Sequence, residues 1–150
     1  MRSFFLPVLY LQLAFVLTSV NAELILPNIF GDHMVLQRGQ YNPGWGKANA
    51  GQEIVVSIAG QTHKTLTGAD GFWRVELNPL KVEDGPCVLK VIGKNELSFE
   101  DVLIGEVWMC SGQSNMAWSI NAINDYDMEI ATPDYPEIRL LSVPLLGTQE

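Results

Sequence analysis

Between Glu53 and Leu103, apolar residues recur at every second position in short runs, with Gly, Asp, Asn and Pro falling between the runs. Glu53 to Ile58 sets Ile54, Val56 and Ile58 on one side, and Gly60-Gln61 reads as a reversal. After Ala69-Asp70-Gly71, the run Phe72 to Leu77 alternates Trp73, Val75 and Leu77 with Arg74 and Glu76. Asp84-Gly85-Pro86 opens a further run in which Leu89 and Val91 share a face. Past Lys94-Asn95-Glu96, the residues Leu97, Phe99, Asp101 and Leu103 continue at period two. A period of two puts alternate side chains on one face of a strand, and closely spaced strands with such turns form antiparallel sandwiches. The pattern therefore predicts a β-sandwich domain over residues 23–103, long enough for one small core.

After Leu103 the pattern changes. Ile104 to Cys110 is almost continuously apolar, as expected of a strand covered on both faces, with Glu106 excepted near its start. Ala117 to Ala131 contains short helical stretches, and Asn124-Asp125 offers an N-cap ahead of Met128, Ile130 and Ala131. Pro133 and Pro136 stop them, and Ile138 to Val143 reads as a second buried strand ended by Pro144. Strand, turn, helix, strand is the opening of an α/β layer fold, assigned to residues 104–150. So short a unit cannot close such a layer alone, and the expectation is the leading part of a longer protein.

Between that strand and the helical stretches lies Cys110-Ser-Gly-Gln-Ser-Asn-Met116, a small polar turn bearing Ser111 and Ser114. A serine hydroxyl is a weak nucleophile at neutral pH and needs a base, usually His, oriented by a carboxylate. It also needs N–H donors where the tetrahedral oxyanion forms. A turn bent at Gly112 can expose Ser114 and aim the following amides at one spot. Gly112-Gln-Ser-Asn-Met116 departs from the Gly-x-Ser-x-Gly elbow of α/β-hydrolases, having Met116 in place of the second Gly. On spacing alone, N-capping of the next helix by Ser111 and Ser114 explains the serines equally well.

The longer block Gly105-Glu-Val-Trp-Met-Cys-Ser-Gly-Gln-Ser-Asn-Met116 closely resembles the nucleophile block of the sialate O-acetylesterase family, SGNH-type serine esterases related to bacterial acetylxylan esterases. Phe30-Gly-Asp-His-Met-Val-Leu-Gln-Arg38 resembles that family's amino-terminal block. Gly44-Trp-Gly46, Gly51-Gln-Glu-Ile-Val-Val56 and Pro136-Glu-Ile-Arg-Leu-Leu141 extend the resemblance over most of Ile25 to Val143. The resemblance implies a β-sandwich followed by a flavodoxin-like, three-layer SGNH esterase domain, truncated here. It implies Ser114 as nucleophile, its own N–H as an oxyanion donor within the turn Gly112, Gln113, Ser114 and Asn115, and an Asp-x-x-His pair farther downstream. Met109 in place of the more usual Leu conserves volume.

The first 22 residues carry Arg2, an apolar run from Phe4 to Val20, and Val20-Asn21-Ala22, which fits signal-peptidase cleavage. Pro7 and Gln12 interrupt the run and no stop-transfer flank follows Ala22, so a cleaved signal is expected rather than a membrane anchor. Cleavage leads to export: secretion, a periplasm or a lumen. The formal charge of −8 becomes −9 once Arg2 is removed. That balance, with no Lys/Arg cluster, argues against nucleic acid. No Asn-x-Ser/Thr site is present. Cys87 and Cys110, the two cysteines, sit in apolar runs and read as small buried hydrophobes rather than a disulfide framework.

His33, beside Asp32, and His63, in a Thr-rich stretch, read as structural. The acidic run Asp125, Asp127 and Glu129 lacks the turn and terminal Glu of a calcium loop and reads as a solvated helix start. Trp73 and Trp108 lie in predicted strands and read as core, whereas Trp118, four residues past Ser114, suits the substrate rim. The resulting expectation is an exported carbohydrate O-acetylesterase acting on an O-acetylated sugar, without metal or organic cofactor. The alternatives are an acetylxylan or other SGNH esterase, and, for the chain as given, a non-catalytic β-sandwich binding or packing module.

Overall fold

A computed structural model describes residues 23–112, 114–122, 124–131 and 135–143. The expected signal segment lies outside them. Among the described residues seven strands form in chain order: β1 (Val35–Gln37), β2 (Asn42–Lys47), β3 (Glu53–Ile58), β4 (Gln61–Leu66), β5 (Phe72–Leu77), β6 (Cys87–Ile92) and β7 (Glu96–Gly105). They make a five-stranded sheet in the order β1-β7-β6-β3-β4 and a two-stranded antiparallel sheet of β2 and β5. The larger sheet is mixed, because β1 runs parallel to β7, pairing Val35 with Leu103 and Gln37 with Gly105. The expected all-antiparallel arrangement is corrected at that one edge.

Period-two patterning fixed which faces turn inward. Ile54, Val56 and Ile58 on β3, Trp73, Val75 and Leu77 on β5, and Leu89 and Val91 on β6 are all buried in one core cluster fed by both sheets. Burying each such side chain stabilises the fold by about 1.5–3 kcal/mol. The β3–β4 reversal uses Ala59 and Gly60, both at positive φ, so a two-residue turn with the twist of its strands joins Ile58 to Gln61. Gly46 on β2 has no room for a side chain: a Cβ there would run into the Ile25 carbonyl and the Trp73 ring, which is how the small sheet closes over the core.

β7 departs from its expected phase. Leu97 and Phe99 face the core, but the next inward residues are Val102 and Ile104, at 0% and 4% exposure, not Asp101 and Leu103. Opposite Cys87 and Leu89 on β6 stand Val102 and Phe99, so one extra residue is inserted in β7. Asp101 lies there at φ 53°. A β-bulge of this kind shifts the alternation by one and leaves the extra side chain pointing elsewhere.

Beyond Gly105 the expected layer does not form among the described residues. Val107, Trp108 and Met109 lie outside any strand and are exposed, Trp108 by 82% and Met109 by 94%. Trp108 is therefore not core, and Cys110, also exposed, is not a buried hydrophobe. Cys87 is half-buried, and burial, with the Asp84 charge adding, pushes its thiol pKa up. Ile138 to Val143 is likewise no strand, with Leu140 at 94% exposure. An apolar run becomes a buried strand only where a neighbouring strand takes its N–H and C=O groups. No described strand borders either run. The helical stretches do form: 3-10 turns at Ser114–Ala117 and Ile120–Ala122, and a short helix α1 at Tyr126–Ala131 behind Asp125.

Candidate active site

The expected nucleophile turn hangs from the end of β7, and the last residues of that strand are held from several directions. Arg38 N–H donates to the Gly105 carbonyl at 2.9 Å. Glu106 accepts from Arg38 Nε at 2.6 Å through one oxygen and from Gln37 Nε2 at 2.9 Å through the other. The Gln37 side-chain carbonyl in turn accepts the Val107 N–H at 2.8 Å. Gln37 itself is fixed by buried Asn42, which accepts the Gln37 N–H at 3.1 Å and donates to its carbonyl at 2.8 Å. The Gln37 amide, and after it the Arg38 guanidinium, hold the Glu106 carboxyl below the usual carboxylate range.

Past Val107 the chain runs exposed to Gly112. Ser114 opens the 3-10 turn and is exposed. A Cβ at Gly112 would lie 2.5 Å from Met116 Cγ, so the glycine lets the chain fold back against Met116. Gln113 lies outside the described residues, and Asn115 is described only as backbone within the turn. Trp118, just after the turn, is 69% exposed. The turn thus gathers Gly112, Ser114 and Asn115 in one short stretch of backbone, with Trp118 beside it in sequence.

Neither histidine hydrogen-bonds Ser114. His63 Nε2 lies 2.6 Å from the Gln61 side-chain oxygen. His33 Nδ1 lies 2.6 Å from Oδ2 of Asp101, the bulge residue, and not against its neighbour Asp32. Asp32 instead accepts the Glu100 N–H at 2.7 Å. Arg139, from the downstream segment, donates to the same Asp101 oxygen at 2.7 Å. The hydrogen bond from His33, with the Arg139 charge adding, holds the Asp101 carboxyl below its ordinary range.

Sequence reasoning passed over both carboxylate clusters. It took Glu106 as an exception in an apolar run and Arg38 as part of a block. The available signal was physical: a charge at the mouth of a covered strand needs a partner, and Arg38 is the opposite charge that β1 delivers. The Asp101 cluster carried no such signal, because the bulge that exposes it changes no residue type.

The described fold is similar to the crystal structure of a carbohydrate acetylesterase from Xanthomonas citri, with a TM-score of 0.69 and 37% sequence identity over 75% of this chain and 26% of that one. It is therefore an architecture that a carbohydrate acetylesterase uses. Curated relatives are more specific: sialate O-acetylesterases of Rattus norvegicus (32% identical, 79% of this chain), Mus musculus (33%, 79%) and Homo sapiens (34%, 71%). The chain belongs to the sialate O-acetylesterase family. It spans about a quarter of the length of these relatives, 24% of the rat protein. No protein-family model matches it.

Proposed function

We propose that the protein is a carbohydrate O-acetylesterase in which Ser114 is the nucleophile. Its chain would comprise a β-sandwich over 23–103 and, from 104, the start of an SGNH-type α/β esterase domain, exported through its first 22 residues. Ser114 Oγ attacks the acetyl carbonyl carbon while a histidine, oriented by an aspartate, takes the hydroxyl proton. The tetrahedral oxyanion is met by backbone N–H groups of the turn, that of Ser114 among them. The bond from the acetyl carbon to the sugar oxygen then breaks, and the sugar hydroxyl leaves with the proton. Water, deprotonated by the same histidine, releases acetate and restores the serine. Trp118 belongs at the rim, where an exposed indole can stack on a sugar ring.

The observation that carries this reading is an exposed Ser114 opening the turn that follows the pinned end of β7, in a chain of this family. Both histidines of the sequence are engaged elsewhere. Residues 23–150 alone are therefore expected to turn over acetyl esters at a small fraction of the full-length rate. The test is acetate release by the full-length protein from O-acetylated sialic acid and from acetylated xylan oligosaccharides. Ser114→Ala is expected to lower kcat by about 10⁴- to 10⁶-fold, as loss of a triad member does in serine hydrolases. Undiminished hydrolysis in that variant removes Ser114 from the chemistry. Activity confined to the xylan oligosaccharide moves the substrate class from sialic acid to plant polysaccharide.

A further inference from the structure

The hydrogen bonds at the end of β7 form a closed ring, and it is out of proportion to any contribution to stability. Arg38 and Glu106 are about half exposed, at 54% and 48% of their side chains. An ion pair that open to water, taken alone, stabilises little. What the ring does is geometric. Gly105, Glu106 and Val107 each accept or donate at least one bond from Gln37 or Arg38, at 2.6–2.9 Å. The ring rests on Asn42, a polar side chain at 6% exposure that clamps the Gln37 backbone on both sides. Among the described residues no strand follows Val107 before the 3-10 turn at Ser114. The ring thus fixes the end of the sheet from which the chain departs toward the serine.

We infer that Glu106 is a positioning residue for Ser114: with Gln37 and Arg38 it sets the direction in which the chain leaves β7. The inference rests on the reading of Ser114 as nucleophile. Glu106 acts through the backbone, and nothing in its role requires contact with substrate. Its two oxygens suit the task because one engages Gln37, the last residue of β1, and the other Arg38, the residue after it, so that rotation of the carboxylate is blocked along with translation. The Gln37 amide is equally apt, donating through nitrogen to Glu106 while its oxygen receives the Val107 N–H. A displacement of about 1 Å at a reacting group can cost about 10²-fold in rate.

The experiment compares Glu106→Ala, Glu106→Gln and Gln37→Leu in the full-length protein, using p-nitrophenyl acetate turnover and the rate of labelling of Ser114 by a fluorophosphonate. Glu106→Ala and Gln37→Leu are expected to lower kcat and the labelling rate by about 10- to 100-fold, leaving KM within about twofold. Glu106→Gln retains an oxygen to accept from Arg38 or Gln37 and is expected to recover most of the loss. Normal kcat and labelling in both Glu106→Ala and Gln37→Leu overturn the inference. So does a loss confined to KM, or one in Glu106→Gln as deep as in Glu106→Ala, which would tie the effect to charge rather than position. If either variant fails to fold, the other two decide by the same criteria. Should Ser114→Ala keep full activity and the fluorophosphonate label no Ser114, the reading of the nucleophile fails, whatever the Glu106 variants do.

Discussion

Asp101 shows how much one residue can hold. Its carboxylate oxygen meets His33 from the loop before β1 and Arg139 from the segment after α1, so two distant stretches converge on a bulge. Both Asp101 and His33 have positive φ, at 53° and 63°, a region that non-glycine residues enter at a cost when surrounding contacts hold them there. With its pKa below the ordinary range in the folded chain, Asp101 stays ionised at pH values where the unfolded chain has begun to bind a proton. Glu106 behaves alike. Their stabilisation is complete above the ordinary carboxylate range near pH 4 and is lost as pH falls through the lowered folded values. We expect Asp101→Asn to lower the melting temperature at pH 7 and to flatten its fall below about pH 4. A melting curve whose acid slope is the same in wild type and variant would count against this account.

At the scale of elements, the bulge and the strands around it separate what was legible from what was not. The faces of β3, β5 and β6 could be read off because each run is short, alternating and closed by Gly, Asp or Asn. Within β7 the same reasoning chose Asp101 and Leu103 over Val102 and Ile104. One extra residue changes the phase without changing the composition, and only the partner strand reveals it. Two matched variants test this. Deleting Asp101 removes the extra residue and leaves Val102 and Ile104 inward, so cooperative unfolding persists while the links to His33 and Arg139 vanish. Deleting Glu100 together with Asp101 sets Val102 next to Phe99 and turns both buried side chains outward, a loss of about 1.5–3 kcal/mol apiece against a typical domain stability of about 5–15 kcal/mol. Circular dichroism melts are expected to be sigmoidal for the single deletion and shapeless for the double deletion, and the reverse order would refute the bulge.

Across the whole molecule, two apolar stretches face outward among the described residues: Val107, Trp108 and Met109, and Leu140, Leu141 and Val143. The sequence reading made both stretches buried strands, which the structure does not show: an apolar run states its composition and not what covers it. Exposed apolar surface of this kind promotes association. Residues 23–150 are expected to bind the dye ANS and to self-associate on size exclusion, and truncation to 23–106 to abolish both. Dye binding that survives the truncation would place the sticky surface on the β sheets instead. The serine followed the same rule: its residue type and turn were plain, whereas what holds the turn came from Gln37 and Arg38, far away in the chain. Arg38 and Glu106 are 68 positions apart, and β1 pairs with β7 across the same gap. Contacts so distant form late in folding, because a large loop must close before they are rewarded. The segment bearing Ser114 therefore acquires its anchor only after the strands between β1 and β7 have been synthesised and assembled, which links the geometry around the serine to completion of the sheet that precedes it.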